Sequence, residues 1–236
     1  QVWTKWMHEA IKKCADYGLM VDVHDEYRPT GFSRTYPNLM TQEGIRGNEE
    51  FPDAIHNVTL PFTRFVAGAA DYTICYYRQD FGRLNTDKDN YGVPRSKSIQ
   101  TTPAHQLAAV YYSPLQYMYW YDKPSDSQDE PELKFFDDIY TTWDDTKVLQ
   151  GEIGQFITIA RRKGEEWFIG SITNNEARAL PVSLDFLPEG KNYVAEIYTD
   201  GERSIKTRTK VKCSRYRVNS MTKLNFELKA SGGSAV

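Results

Sequence analysis

The chain has 236 residues, with 29 Lys and Arg against 32 Asp and Glu and a formal net charge of −3. That length holds one large domain or two ordinary ones with a sizeable core. The near balance of charge, with a pI near 5.9, carries no electrostatic footprint for nucleic acid or an anionic membrane, and no apolar run approaches the roughly 20 residues of a membrane-spanning helix.

Residues 2–17, VWTKWMHEAIKKCADY, place Trp3, Met7, Ala10, Ile11 and Cys14 at helical spacing, and Gly18 is a natural stop. LMVDVH (19–24) reads as a buried strand with a polar end, and LMTQEG (39–44) as a second strand running into an acidic, glycine-rich loop. NVTLPFTRFVAGA (57–69) is a helix candidate with Pro61 in its first turn. DYTICYY (71–77) is strand-like, and residues 78–98 form a long polar loop. TPAHQLAAVYYS (102–113) is a helix capped by Thr102 with Pro103 at its first position. LQYMYWYD (115–122) is a fourth strand, and PELKFFDDIYTTW (131–143) a last helix. Four strands, each followed by a polar loop and a helix, are half of an eight-fold barrel; an open doubly wound sheet is the alternative. After Trp143 the texture changes to short alternating strands separated by Lys163-Gly164, Pro188-Glu189-Gly190 and Asp200-Gly201, an antiparallel β-sandwich pattern. The expected organisation is therefore an α/β region over 1–143, the second half of a (β/α)8 barrel, followed by a small C-terminal β-sandwich domain over 144–236, with the tail SGGSAV loose.

Cys14, Cys75 and Cys213 lie far apart without a C-x-x-C pair, so buried thiols are expected rather than a zinc site or a disulfide framework. The chain opens on Gln with no leader in front of it, so a processed or truncated piece is expected. Aromatics are 14% of the chain, with 16 Tyr and 5 Trp; their flat amphipathic rings suit sugar faces, although core packing accounts for them as well.

The acids track the strand ends. Asp25 and Glu26 close the first strand and Glu43 the second, Glu49 and Glu50 lie just past Gly47, Asp71 opens the third segment and Asp122 follows the fourth. In a parallel α/β fold that is the end where the chemistry sits. Glu43 and Glu49 are six apart, with Gly44 and Gly47 between them, which fits no single helix face but lets the backbone fold back so that the two carboxylates converge. Convergent carboxylates suit Ca2+, and Asp25 could add another oxygen, but the spacing matches no EF-hand loop, so spacing alone leaves the ion open. A glycosidase needs two carboxyl groups, one of them holding its proton to high pH. Of the other candidates, His24 could hydrogen-bond a sugar hydroxyl or be held by a neighbour. Arg28 and Arg46 could orient the acids, Trp120 and Tyr121 could form a sugar platform, and Asn57 is either a helix cap or the acceptor of an Asn-Val-Thr sequon.

HDEYRPTGFSRTYPNLMTQEGIRGNEE, with TLPFTRFVAGAADYT and YYSPLQYMYWYDKP, resembles glycoside hydrolase family 97 over essentially the whole chain; the EG-x-R-G-x-E block is its most specific part. The resemblance implies a calcium-dependent, exo-acting α-glucosidase or α-galactosidase of bacterial origin, periplasmic or secreted. It implies an N-terminal β-sandwich, a central barrel and a C-terminal β domain, of which this chain covers the later part and would need the remainder of its own polypeptide. By resemblance Glu49 is the acid/base, Asp25, Glu43 and Glu49 are metal ligands, and His24, Glu43 and Arg28 contact the α-glycoside substrate. The His24-Asp25-Glu26 variant is similar to the retaining, α-galactosidase-like branch, whose nucleophile is an aspartate on the preceding barrel strand, upstream of Gln1. A non-catalytic carbohydrate-binding module is the competing expectation.

Overall fold

A computed structural model describes residues 2–25, 27–47, 50, 52–76, 109–120, 130, 132–201 and 211–236. Helix α1 spans Val2–Asp16 and turns Ile11 into a small core with Val23 and Leu39, against which Met7, Tyr27 and Phe32 pack. Strand β1 (Val21–Val23) pairs in parallel with β2 (Leu39–Gln42), with a register shift between Val21 and Asp22. Helix α2 is Ala54–Thr59, capped by Asp53, whose carboxylate accepts from the Ile55 N–H at 2.8 Å. The helix expected over 57–69 thus starts three residues earlier, with Asn57 buried inside it rather than at its cap. It gives way to 3-10 turns at Leu60–Phe62 and Arg64–Val66. Pro61 has no N–H to return to the Asn57 carbonyl; the Tyr111 hydroxyl donates there instead, at 2.9 Å.

Strand β3 (Ile74–Tyr76) pairs in parallel with β4 (Met118–Trp120). All four expected strands are present, but as two separate parallel pairs rather than the contiguous half-barrel expected. The reason lies between β2 and the segment leading into β3. There the Arg64 guanidinium donates to the carbonyls of Gln42 (3.0 Å) and Glu43 (3.2 Å) on one side and of Gly68 (3.0 Å) and Ala69 (3.1 Å) on the other. A side chain bridges where a backbone ladder would run. The helix expected over 102–113 lies mostly outside the described residues; Ala109 and Val110 are helical. Helix α3 is Leu133–Asp138.

The remaining strands are β5 (Asp145–Glu152), β6 (Phe156–Lys163), β7 (Glu166–Thr173), β8 (Arg178–Ser183), β9 (Tyr193–Asp200), β10 (Val211–Val218), β11 (Lys223–Leu228) and β12 (Gly233–Ala235). They form an antiparallel six-stranded sheet in the order β10-β9-β12-β7-β6-β5 and an antiparallel β8–β11 pair. Alternation along the strands sorts the faces. Ala160, Ile169, Ala195 and Ile197 meet Leu180, Val182, Phe226 and Leu228 of the smaller pair. Ile157, Ile159 and Ile172 face the other way, onto Val58, Leu60, Tyr72, Ile74, Val110 and Tyr111. The tail expected to be loose is the inserted strand β12: Ser234 and Ala235 are fully buried, because small side chains fit between two strands already packed on both faces. Nor are the thiols all buried, since Cys14 is half-exposed and Cys213 exposed on the outer strand β10; the Cys75 side chain lies outside the described residues.

Candidate functional site

The carboxyl ends of β1 and β2 lie side by side, so the residues that follow each strand meet. The Glu43 N–H donates to the Val23 carbonyl at 2.8 Å and the Gly44 N–H to the Asp25 carbonyl at 2.9 Å, extending the parallel pairing past the strands. Glu43, only 5% exposed, turns its carboxylate back across this junction. Its Oε2 accepts the Asp25 N–H at 2.6 Å and lies 3.2 Å from His24 Nδ1. His24, Asp25 and Glu43 each offer one ligand atom within 4.8 Å of the others.

Two glycines make the turn possible. Gly44 has φ 46°, and a Cβ there would stand 2.5 Å from the Tyr27 carbonyl oxygen. At Gly47 a Cβ would lie 3.0 Å from Glu43 Oε1 and 3.1 Å from the Tyr72 carbonyl oxygen, so a side chain would push on the carboxylate itself. Asp25 also has a left-handed φ, 66°, which presents its side chain outward, exposed, beside His24.

Under this rim lie two acids that reading by strand ends undervalued. Asp71 is fully buried and accepts from the Thr73 N–H (2.9 Å), the Thr73 hydroxyl (3.4 Å), the Tyr117 N–H (3.3 Å) and Gln116 Nε2. Asp22, in the middle of β1, was not singled out at all. Burial first, then the charge of Asp71 and the hydrogen bond shared with it, push the Asp22 carboxyl up to about 7; Glu43 adds to the rise and His24 opposes it. The signal available in sequence was an acid at an inward position of an otherwise apolar strand.

Of the expected site residues, His24, Asp25 and Glu43 are brought together. Arg28 is exposed, with no bond to an acid found for it among the described residues. Glu49, Glu26, Tyr121 and Asp122 lie outside the described residues, as does the Trp120 side chain. Arg46 donates to the Glu50 backbone carbonyl at 3.0 Å, and Arg64 also braces the acidic loop, donating to the Gly44 carbonyl at 3.3 Å. Asn57 donates to the hydroxyls of Tyr72 and, at 3.1 Å, Tyr111. It is fully buried, so the folded chain offers no acceptor at its sequon. His56 Nε2 is 3.2 Å from the Arg46 carbonyl, and burial lowers its pKa.

The donor chemistry fits a hard cation in part. The Asp25 and Glu43 carboxylates are the oxygen ligands that Ca2+ takes, whereas the His24 nitrogen is not one it prefers. His24 is better described as the hydrogen-bond partner that orients Glu43.

Comparison with known proteins supports the architecture. Residues 1–45 match the family model described as glycoside hydrolase 97, and residues 142–236 the model described as the glycosyl-hydrolase 97 C-terminal region, oligomerisation. The chain is 35% identical to a retaining alpha-galactosidase of Bacteroides thetaiotaomicron over 100% of its own length, and 30% identical to a probable retaining alpha-galactosidase of Streptomyces bingchenggensis over 76%. It covers 36% and 26% of those two proteins. A glycoside hydrolase family 97 enzyme from Pseudoalteromonas sp. strain K8, solved in complex with acarbose, superposes with a TM-score of 0.80 at 28% identity, covering 98% of this chain and 36% of that one. A β1–β2 junction carrying Glu43, an antiparallel sheet domain behind it and two matched family models lead to one conclusion: the chain belongs to glycoside hydrolase family 97, of which it is a fragment from the C-terminal region.

Proposed function

We propose that the polypeptide to which this chain belongs is a retaining α-galactosidase, with Glu49 as its acid/base and the nucleophile supplied from outside the 236 residues. The observation carrying this reading is the meeting of His24, Asp25 and Glu43 at the ends of two parallel strands, in a chain 35% identical to a retaining alpha-galactosidase. Asp25 and Glu43 would hold a calcium ion, together with Glu49. When bound, that ion supplies a fixed positive charge that polarises sugar hydroxyls and offsets the acids' mutual repulsion. The work of the chain's own residues follows from their chemistry. Glu49 gives its proton to the leaving glycosidic oxygen and takes one back from the water that hydrolyses the glycosyl-enzyme. Glu43, held by the Asp25 N–H and by His24, accepts hydrogen bonds from the bound sugar, and His24 and Arg28 contact its hydroxyls at the exposed rim. The residues 1–143 act as the catalytic end and 144–236 as a separate supporting β domain, in a periplasmic or secreted bacterial protein.

The test is turnover of p-nitrophenyl α-galactoside by the intact polypeptide, with the anomeric form of the first-released sugar read by NMR. Retention is expected, with Glu49 about 5–5.5 Å from the nucleophile. E49Q should lower kcat by about 10²–10⁴-fold. Inverted product would overturn the retaining assignment. An α-glucosidase is the second reading, favoured by the likeness to an enzyme solved with acarbose; a preference for p-nitrophenyl α-glucoside would establish it over the first. Undiminished turnover in E49Q would remove Glu49 as the acid/base, and absence of both activities in the intact polypeptide would leave a carbohydrate-binding role.

A further inference from the structure

The stretch from Glu43 to Asp53 runs from the β1–β2 junction to the start of α2, and its described residues are tied at close intervals. The Glu50 N–H donates to the Gly47 carbonyl at 3.2 Å, and Arg46 donates to the Glu50 carbonyl at 3.0 Å. His56 of α2 donates through Nε2 to the Arg46 carbonyl at 3.2 Å. Where the stretch enters α2, Asp53 Oδ1 accepts twice. One bond is the helix cap from the Ile55 N–H at 2.8 Å; the other comes from Asn175 Nδ2 at 2.7 Å. Asn175 lies 122 residues further along the chain, in the turn between β7 and β8. Its own amide is fixed at the oxygen, which accepts from the buried Ser231 hydroxyl at 2.7 Å. The Ser231 N–H in turn donates to the Asn174 carbonyl at 2.7 Å, and Asn174 Nδ2 to the Gly154 carbonyl at 3.1 Å. Gly154 lies against α2, since a Cβ there would stand 3.9 Å from Ile55 Cγ2. Three turns of the β domain, β5–β6, β7–β8 and β11–β12, thus converge on the first turn of α2.

We propose that Asn175 is a positioning residue: through Asp53 it fixes the stretch that begins at Glu43, so that the β domain takes part in delivering the proton to the leaving oxygen. The inference rests on the glycosidase reading, which gives the acid/base role to Glu49, four residues before Asp53. A helix of six residues does not hold its own start. Its entry direction is set by its cap, and here the capping oxygen is shared with another domain. An amide held at its oxygen presents its N–H in one direction, so the Asn175–Asp53 bond carries orientation as well as adhesion. Proton transfer depends steeply on the distance and angle between acid and leaving oxygen, more steeply than sugar binding does. Loosening this bond should therefore act on the protonation step first.

The test uses the intact polypeptide, well below the thermal midpoint of each variant, and reads kcat/KM, which reports the bond-breaking step. Two substrates are compared: 2,4-dinitrophenyl α-galactoside, whose phenolate leaves without a proton, and an α-galactosyl disaccharide, whose alkoxide needs one. The matching glucosides serve if the parent prefers them. N175D sets a second carboxylate against Asp53. It should lower kcat/KM by about 10-fold or more on the disaccharide and by less than about 3-fold on the dinitrophenyl substrate. N175A, which removes the bond without adding charge, should show the same substrate dependence at smaller size. N175D/D53N again sets a carboxylate opposite an amide, and an asparagine at position 53 still caps α2, so it should recover most of the disaccharide activity. Equal losses on the two substrates, unaltered rates in N175D and N175A, or no recovery in the double variant would overturn the positioning role alone. A parent polypeptide inactive on all four substrates would overturn the glycosidase reading and this inference with it.

Discussion

Asp22 is a residue whose ionisation is coupled to folding in this chain. Its folded pKa, about 7, lies above the ordinary 3.8. A raised pKa means the folded state holds the proton more tightly, so the stabilisation is complete below about pH 4 and is lost as pH rises through 7. Asp22 is half-exposed, so after screening the effect is on the order of 1 kcal/mol. In chelator, the urea midpoint at pH 5 should exceed that at pH 8 by more in the parent chain than in D22N; identical pH profiles would remove Asp22 from the account. Added calcium, if held by Asp25 and Glu43, should draw the Asp22 pKa down and shrink the step, which the same titration reads. Gly44 is the second residue of this kind. G44A would place a methyl group 2.5 Å from the Tyr27 carbonyl at a φ of 46°. A loss on the order of 2 kcal/mol in denaturant unfolding is expected.

At the scale of elements, one buried cation supplies much of the polar half of the joint between the catalytic-domain end and the sheet domain. Arg161 of β6 donates to the Ala109 carbonyl at 2.6 Å, the Val110 carbonyl at 2.9 Å and the Thr146 hydroxyl at 3.1 Å. Burial lowers its pKa to about 10, which leaves it charged at neutral pH. R161M keeps much of the stem but strands two buried carbonyls, for a cost on the order of 3 kcal/mol. Because Ile157 and Ile159 on the same strand carry the apolar half of this joint, urea unfolding of R161M should split into two transitions. A single sharp transition at the parent midpoint would contradict the assignment. Arg64 plays the corresponding part within the catalytic end, where one guanidinium organises the carbonyls of Gln42, Glu43 and Gly44.

At the scale of the whole molecule, the chain exposes apolar surface that a self-sufficient domain would cover. Val2 and Trp3 are 80% exposed and Trp6 is 60% exposed, all on α1, which buries only Ile11 fully. The parallel pairs β1–β2 and β3–β4 are two strands each, fewer than an independently stable sheet uses. We expect this chain on its own to associate with increasing concentration, as sedimentation velocity would show, and W3K/W6K to associate less. A concentration-independent monomer with full turnover would contradict this and the need for the rest of the polypeptide.

Periodicity alone located α1, all four short parallel strands and the change of texture near Trp143, because spacing of apolar residues is a local property that burial imposes on any chain. The EG-x-R-G-x-E block was legible through its resemblance to the family and the turn its glycines permit, while the Tyr27 and Tyr72 carbonyls that crowd Gly44 and Gly47 come from distant segments. What the sequence could not decide was set by residues distant along the chain. The seventeen positions between Asp25 and Glu43 do not reveal that one side chain caps the other's N–H. Nothing local to Arg64 or Arg161 names the carbonyls they bind. SGGSAV reads as a loose tail until two strands close around it, and Asp22 reads as an ordinary acid until Asp71, 49 residues later by number, is folded against it. Local pattern determined the elements and the glycine-bearing loop; the tertiary structure decided which polar groups face each other, because burial and dielectric exist only once distant segments have met.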